Sequence, residues 1–394
     1  MPVAKKIAEA ACRSSWIRQM FEEGACLAEI HGCDKVFDFS IGNPNLDPPE
    51  EFHMVLEDLV KDRAPGVHGY MSNQGYPEAC AAVAAYLTRD QGVPLSGEHV
   101  VMTCGAAAAA NVIFKAILDP GDEVIVPRPY FVEYGAYVDN HGGVLKTVAS
   151  LADFDLDLDA IGAAITSKTR AVLVNSPNNP TGRVYSAETL AALGRLLERK
   201  TKENGRVIYL VSDEPYRRIV FDGNRVPPVL AAYENTLIAT SYSKELSLAG
   251  ERIGYVAANP AIEGIDQLMA GLILANRVLG FINAPALMQR VVTRLQGVEV
   301  DLTLYQENRD RLYEALTEVG YDIQKPQGTF YMFPKSPIAD DLAFSSELLE
   351  RLVLVTPGVG FGFPGYFRLA FCVERRIVEG ALPALQELGR KYLG

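Results

Sequence analysis

Lys244 ends the run Ser241-Tyr242-Ser243-Lys244, which follows a β-rich apolar stretch and precedes Leu246 to Tyr255, with Arg252 among them. An ammonium at the end of a buried strand is costly unless its charge is paired or its pKa is lowered. Conversion to a Schiff base avoids that cost. Standing alone, such a lysine is more often a surface residue whose stem lies along the protein while its head reaches water.

The context narrows the reading. An earlier apolar run ends in Ser212-Asp213-Glu214-Pro215-Tyr216. An Asp at the carboxyl end of a central parallel strand sits where open α/β sheets bind ligands. There its carboxylate can pair with a protonated pyridine nitrogen and keep the ring electron-withdrawing, with Tyr216 near enough to donate to a phenolic oxygen on the same ring. The plainer alternative is that Asp213 caps the next helix. A third segment, Asn175-Ser176-Pro177-Asn178-Asn179-Pro180-Thr181-Gly182-Arg183, again follows an apolar run. It reads either as turn chemistry or as a rigid amide donor, Asn179, aimed at the oxygen that Tyr216 reaches.

Two further features suit anions. Cys104-Gly105-Ala106-Ala107 opens an alanine-rich helical run, and a helix N-terminus offers free N–H groups and roughly +0.5 of partial charge. The alanines are equally explained as good helix formers. Arg368 lies inside the apolar run Tyr366-Phe367-Arg368-Leu369-Ala370-Phe371, where an unpaired guanidinium is expensive. A substrate carboxylate gripped by two parallel N–H donors removes the expense, and a structural ion pair is the rival account.

The elements that must position these residues alternate. The runs 100–104, 123–126, 144–148, 171–174, 207–211, 237–240 and 254–257 predict strands, several of them apolar at consecutive positions as strands buried on both faces are. Segments 107–118, 187–200 and 262–279 have helical spacing, so the class is α/β with a mostly parallel seven-stranded sheet. A long helical pattern over 286–319 leads to a shorter α/β region with strands near 330–333 and 367–371. The first fifty residues hold a helix over 15–29 and a Gly/Pro-rich loop over 42–49, and are expected to pack with the C-terminal part. The expected division is a large cofactor-binding domain, 51–289, and a small domain built from 1–50 and 290–394.

The bulk numbers exclude other classes. A chain of 394 residues exceeds a single compact core. A net charge of -12, with a pI near 5.1, disfavours a long electrostatic footprint on nucleic acid or anionic lipid. No apolar run approaches the roughly 20 residues that span a bilayer, and the N-terminal stretch does not read as a signal peptide. The six cysteines, Cys12, Cys26, Cys33, Cys80, Cys104 and Cys372, form no CxxC pair and have no His at ligand spacing. They read as reduced thiols of a cytoplasmic protein, and no metal site is expected.

Together and in this order, the Asn-Pro-Thr-Gly, Asp-Glu-Pro-Tyr and Ser-x-Ser-Lys runs, with Arg252 following, resemble the aspartate aminotransferase family over about residues 37–371. These are class I aminotransferases among the fold type I pyridoxal-phosphate enzymes. The resemblance implies a pyridoxal 5'-phosphate cofactor bound as a Schiff base to Lys244, which also shuttles the proton. Asp213 pairs with the pyridinium, and Asn179 and Tyr216 bond its phenolate oxygen. Phe131 takes the ring-stacking position, although it reads equally as a core Phe.

At the phosphate, Gly105, Ala106 and Ala107 contribute main-chain contacts where most relatives carry a polar side chain. Ser241, Ser243 and Arg252 therefore do more of the work. Tyr70 matches a tyrosine that reaches the phosphate of the neighbouring subunit, implying a homodimer. Arg368 receives the substrate α-carboxylate, with Gly42 and Asn179 also facing substrate. Gly42 lies on a loop, 41–44, that closes over it. Arg277 falls near the position of a second, side-chain-binding arginine in the dicarboxylate branch, and on a helical pattern.

The implied activity is ping-pong transamination from an L-amino acid to a 2-oxo acid, aspartate-type by family default. A C–S lyase or other lyase on the same scaffold, and a non-catalytic ligand-binding module, are the alternatives. A nicotinamide-binding Rossmann enzyme is disfavoured because no GxGxxG follows the first strand.

Overall fold

β-Branched and other apolar residues concentrated in short runs build the central sheet. The structure, a computed structural model, describes residues 2–12 and 16–394, with the side chains of 9–22 and 25 outside that description. After β1 (Phe37–Asp38), the strands β2 (Val100–Thr103), β3 (Glu123–Pro127), β4 (Val144–Val148), β5 (Thr169–Asn175), β6 (Tyr209–Asp213), β7 (Thr236–Ser241) and β8 (Gly254–Ala258) follow. These seven form one sheet in the order β2-β8-β7-β6-β5-β3-β4. All its pairings are parallel except those of β8, which runs antiparallel to both β2 and β7.

Consecutive apolar residues follow from burial on both faces. In β5, Val172 and Val174 enter one core cluster while Ala171 and Leu173 enter another. The strand expected to end at 211 runs on to Asp213, so that carboxylate sits on the last strand residue and caps no helix.

The second region carries β9 (Tyr331–Met332), β10 (Val353–Leu354), β11 (Thr356–Pro357) and β12 (Phe367–Ala370). β11, β12 and β9 form an antiparallel sheet, and β1 pairs in parallel with β10. That pairing ties residues near position 37 to the C-terminal part. A third cluster of buried residues, with Phe39, Tyr216, Phe330 and Phe367, fills this region.

One helical expectation changes. The helical pattern over 286–319 is broken into Ala286–Arg294 and Thr303–Glu318. Gly297 adopts φ 91 between them, a conformation outside the helix, and Asp301 Oδ1 accepts from Thr303 N and Oγ1 at the restart. The helix expected from Ser15 runs Trp16–His31, and Ser15 itself lies outside the described residues. Among the described residues no helix is long and apolar enough to cross a membrane, and Cys26, Cys33, Cys80, Cys104 and Cys372 are unpaired.

Candidate active site

The carboxyl ends of β5, β6 and β7 converge with the start of helix Ala106–Ile117 on one cavity of about 320 Å³. Of the residues singled out in the sequence, Gly42, Ala106, Ala107, Phe131, Asn179, Asp213, Tyr216, Ser241, Ser243, Lys244, Arg252 and Arg368 line it.

Ser241 ends β7 and precedes a single helical turn, Tyr242–Glu245, which carries Lys244. Lys244 Nζ donates to the Gly42 carbonyl at 2.7 Å. Burial pushes the ammonium down to about 8, and the nearby Arg368 and Arg252 push the same way against Cys372. The amine is thereby available in neutral form close to physiological pH.

Asp213 and Glu214 are adjacent carboxylates with different fates. Glu214 is occupied by Ser212 Oγ at 2.8 Å and Arg217 Nη1 at 3.1 Å. Asp213 accepts at Oδ2 from Tyr134 OH at 2.5 Å, while its Oδ1 is buried with no hydrogen-bond partner. Burial raises the Asp213 carboxyl to about 7 against the lowering effect of the Tyr134 bond. A cationic N–H donor at Oδ1 would satisfy the orphaned oxygen and favour the carboxylate. A protonated pyridine nitrogen has that chemistry, so this donor set fits pyridoxal 5'-phosphate.

Asn175 locks the neighbouring turn. Its Nδ2 donates to the Asp213 carbonyl at 2.9 Å and its Oδ1 accepts from Asn179 N at 2.7 Å. Asn179 Oδ1 then accepts from Arg368 Nη1 at 3.1 Å, which leaves the Asn179 amide as a free donor. Arg368, 2% exposed, also donates from Nη2 to the Ser40 carbonyl at 2.6 Å. Among the described residues it forms no ion pair, and its Nε is buried without a partner. The structural ion pair is therefore not what retains this guanidinium.

At the other end, Gly105 at φ 89 caps helix Ala106–Ile117. A Cβ there would lie 2.7 Å from Arg252 Nη2, so only glycine lets the guanidinium approach the helix start. Arg252, itself at φ 51, is held by the Ala249 carbonyl at 2.8 Å and the Cys104 carbonyl at 3.3 Å.

Two residues named from the sequence lie elsewhere. Tyr70 is 90% exposed, and Arg277 is exposed on helix Ile265–Val278; neither lines the cavity of its own chain. Sequence reasoning missed Tyr134, Asn175 and Tyr331, all in the cavity wall. Tyr134 follows Phe131 at helical i,i+3 spacing, a usable signal, and their rings meet edge-on at 5.6 Å. Tyr331 meets Tyr216 only through the fold, hydroxyl to hydroxyl at 3.1 Å.

Comparison with known proteins agrees with this geometry. The family model for aminotransferases of class I and II matches residues 34–385. The aspartate/prephenate aminotransferase of Thermus thermophilus is 35% identical over 347 residues, 86% of this chain and 88% of that protein. The crystal structure of an aminotransferase from Eubacterium rectale, 42% identical, superposes with a TM-score of 0.97 over 100% of both chains. Aspartate aminotransferase from Thermus thermophilus with maleate, 29% identical, gives 0.87 over 98% of this chain and 99% of that one. With a family match over most of its length on a type I fold, the chain belongs to the class I and II aminotransferases, enzymes that use pyridoxal 5'-phosphate to move an amino group between an amino acid and a 2-oxo acid.

Proposed function

We propose that the cavity around Lys244 is the transamination site and that the enzyme is of the aspartate type. The carrying observation is the buried, unpartnered Asp213 Oδ1 in the same cavity as a lysine whose ammonium is pushed down to about 8. When bound, pyridoxal 5'-phosphate supplies an aldehyde that links to an amine and a ring that withdraws electrons from the substrate α-carbon. Asp213 keeps the ring nitrogen protonated. Phe131 stacks on the ring, and Tyr216 and the free amide of Asn179 donate to its phenolic oxygen. The N–H groups of Ala106 and Ala107 at the helix start, with Gly105 as the turn that opens it, hold the phosphate together with Ser241, Ser243 and Arg252. Arg368 grips the substrate α-carboxylate, Gly42 shapes the loop over it, and Lys244 Nζ takes the α-proton. The aspartate assignment is supported by the names of the relatives.

The same reading makes 51–289 a cofactor-binding domain and 1–50 with 290–394 a small domain. Tyr70 would serve the neighbouring site of a homodimer. The exposed apolar side chains of Leu274 and Val278, beside Arg277 on one helix, support a covered surface there. The unpaired cysteines among the described residues favour the cytoplasm.

The test is spectroscopic. Lys244→Ala is expected to lose turnover and the visible absorption of the lysine-bound cofactor; normal transamination by that variant sinks the assignment. A panel of amino donors with 2-oxoglutarate identifies the substrate. Conversion of the cofactor to its amine form by an amino acid alone separates an aminotransferase from a lyase.

A further inference from the structure

Tyr331 has no role in the scheme above, although it touches three of its parts. It is 3% exposed, and its hydroxyl lies 3.1 Å from that of Tyr216. Its ring faces Arg368, with the guanidinium carbon 4.2 Å from the ring centre; Phe361 approaches the same group at 4.8 Å. A Cβ on Gly42 would collide with the Tyr331 hydroxyl. The loop whose carbonyl holds Lys244 therefore rests directly on this phenol.

The direction of the phenol pair matters. If Tyr216 gave its proton to Tyr331, it would have none left for a ligand. If Tyr331 donates instead, the Tyr216 proton is free for a third acceptor, and its donor strength rises with the bond it accepts. The Arg368 cation against the Tyr331 ring favours that second arrangement. It is the main influence opposing burial at Tyr331, whereas burial pushes the Tyr216 hydroxyl well above its ordinary range.

We propose that Tyr331 is a positioning residue of the transamination site: its hydroxyl orients Tyr216 toward the phenolic oxygen of the cofactor, and its ring holds Arg368 in place for the substrate carboxylate. The proposal rests on the roles given to Tyr216 and Arg368 above. It predicts one substitution pattern for the hydroxyl and another for the ring, which a merely space-filling tyrosine would not produce.

The experiment uses purified holoenzyme and the variants Tyr331→Phe and Tyr331→Leu. The first readout is the pH midpoint of the bound cofactor's visible absorption. Weaker donation to the phenolic oxygen leaves that oxygen more negative and favours the protonated lysine linkage. Tyr331→Phe is therefore expected to raise the midpoint by about half a pH unit to one, the size of one neutral hydrogen bond. The second readout is the dissociation constant for maleate. Tyr331→Leu should weaken maleate binding about tenfold through loss of the ring beside the cation, whereas Tyr331→Phe should leave it nearly unchanged.

A Tyr331→Phe midpoint equal to the parent's overturns the proposal, as does maleate binding in Tyr331→Leu equal to the parent's. Should the Leu variant fail to fold, the midpoint of the Phe variant decides alone. A parent protein that stays colourless when pyridoxal phosphate is added overturns the reading of Tyr216 itself, and this proposal with it.

Discussion

Tyr134 gives its phenolic proton to Asp213 Oδ2 across 2.5 Å and leaves Oδ1 as the carboxylate's one unpartnered oxygen. The pair is buried, and Phe131 lies just before the short helix Glu133–Asp139 that carries Tyr134, so the residue proposed to stack on the cofactor ring and the residue that orients its acid are three positions apart in the chain. Tyr134→Phe should leave a second buried carboxylate oxygen unpaired, costing about 1–3 kcal/mol in the cofactor-free protein. Urea unfolding of the two proteins measures it; equal midpoints and slopes contradict the assigned bond.

The same carboxyl sets a pH dependence. Folded Asp213 holds its proton to about 7, against an ordinary value of 3.8. The folded state thus binds more protons than the unfolded chain in that window, and stability falls as pH rises through it. Glu245, also raised to about 7 by burial, adds a slope of the same sign. Asp213→Asn should remove only part of the slope in cofactor-free protein, and loading the parent with cofactor should remove a similar part. Thermal unfolding from pH 4 to pH 7.5 measures both.

Lys244 makes a complementary prediction. Its ammonium is pushed down to about 8 from 10.5, so uptake of pyridoxal phosphate by the cofactor-free protein should accelerate with a midpoint near 8. Stopped-flow absorbance over pH 6 to 10 gives the profile. A midpoint near 10 means that burial does not tune this amine.

Gly105→Ala meets two penalties at once. The residue sits at φ 89 and the new methyl would lie 2.7 Å from Arg252 Nη2. That backbone conformation, φ 89 with ψ 175, alone costs a residue with a side chain about 1–3 kcal/mol, and displacement of Arg252 should weaken cofactor binding more than tenfold, roughly the worth of one charge-assisted contact. Fluorescence titration with pyridoxal phosphate reads the constant directly.

Arg368→Lys keeps the charge and loses the planar fork that reaches Asn179 and Ser40. The expected result is a KM for the amino donor raised about a hundredfold, with the cofactor still bound to the resting enzyme. A KM near the parent's removes Arg368 from substrate binding.

Tyr70 is tested by mixing subunits. Tyr70→Phe should weaken cofactor binding even though Tyr70 is 90% exposed in its own chain. A hybrid of a Tyr70→Phe subunit with a Lys244→Ala subunit regains one intact site only if the phenol crosses the interface. Purified hybrids no more active than the Tyr70→Phe enzyme itself would place Tyr70 in its own chain's site or in none.

Much of the site was legible because its residues occur in short runs attached to strand ends. Lys244, Asp213 and Asn179 each follow an apolar segment, and a parallel sheet brings such ends to one edge whatever the details of packing. The glycine at 105 and the arginine at 368 were legible for a different reason: each breaks a local rule, one by opening a turn before a helix and the other by placing a charge in an apolar strand.

What the sequence by itself determined is therefore the class of sheet, the ligand-binding edge and the identity of the groups on it, since periodicity and strand-end position are local properties. The tertiary structure decided the pairings. Tyr134 with Asp213, Tyr331 with Tyr216, and Arg368 with Ser40 join residues 79, 115 and 328 positions apart. No local pattern encodes such a distance, because the register that brings these residues together is set by burial of the cores on both faces of the sheet and by the pairing of β1 with β10. The tertiary structure also decided which of two adjacent carboxylates stays unpaired. Burial raises both carboxyls, but Glu214 faces Arg217, which opposes that rise, whereas Asp213 faces no cation and keeps Oδ1 without a partner.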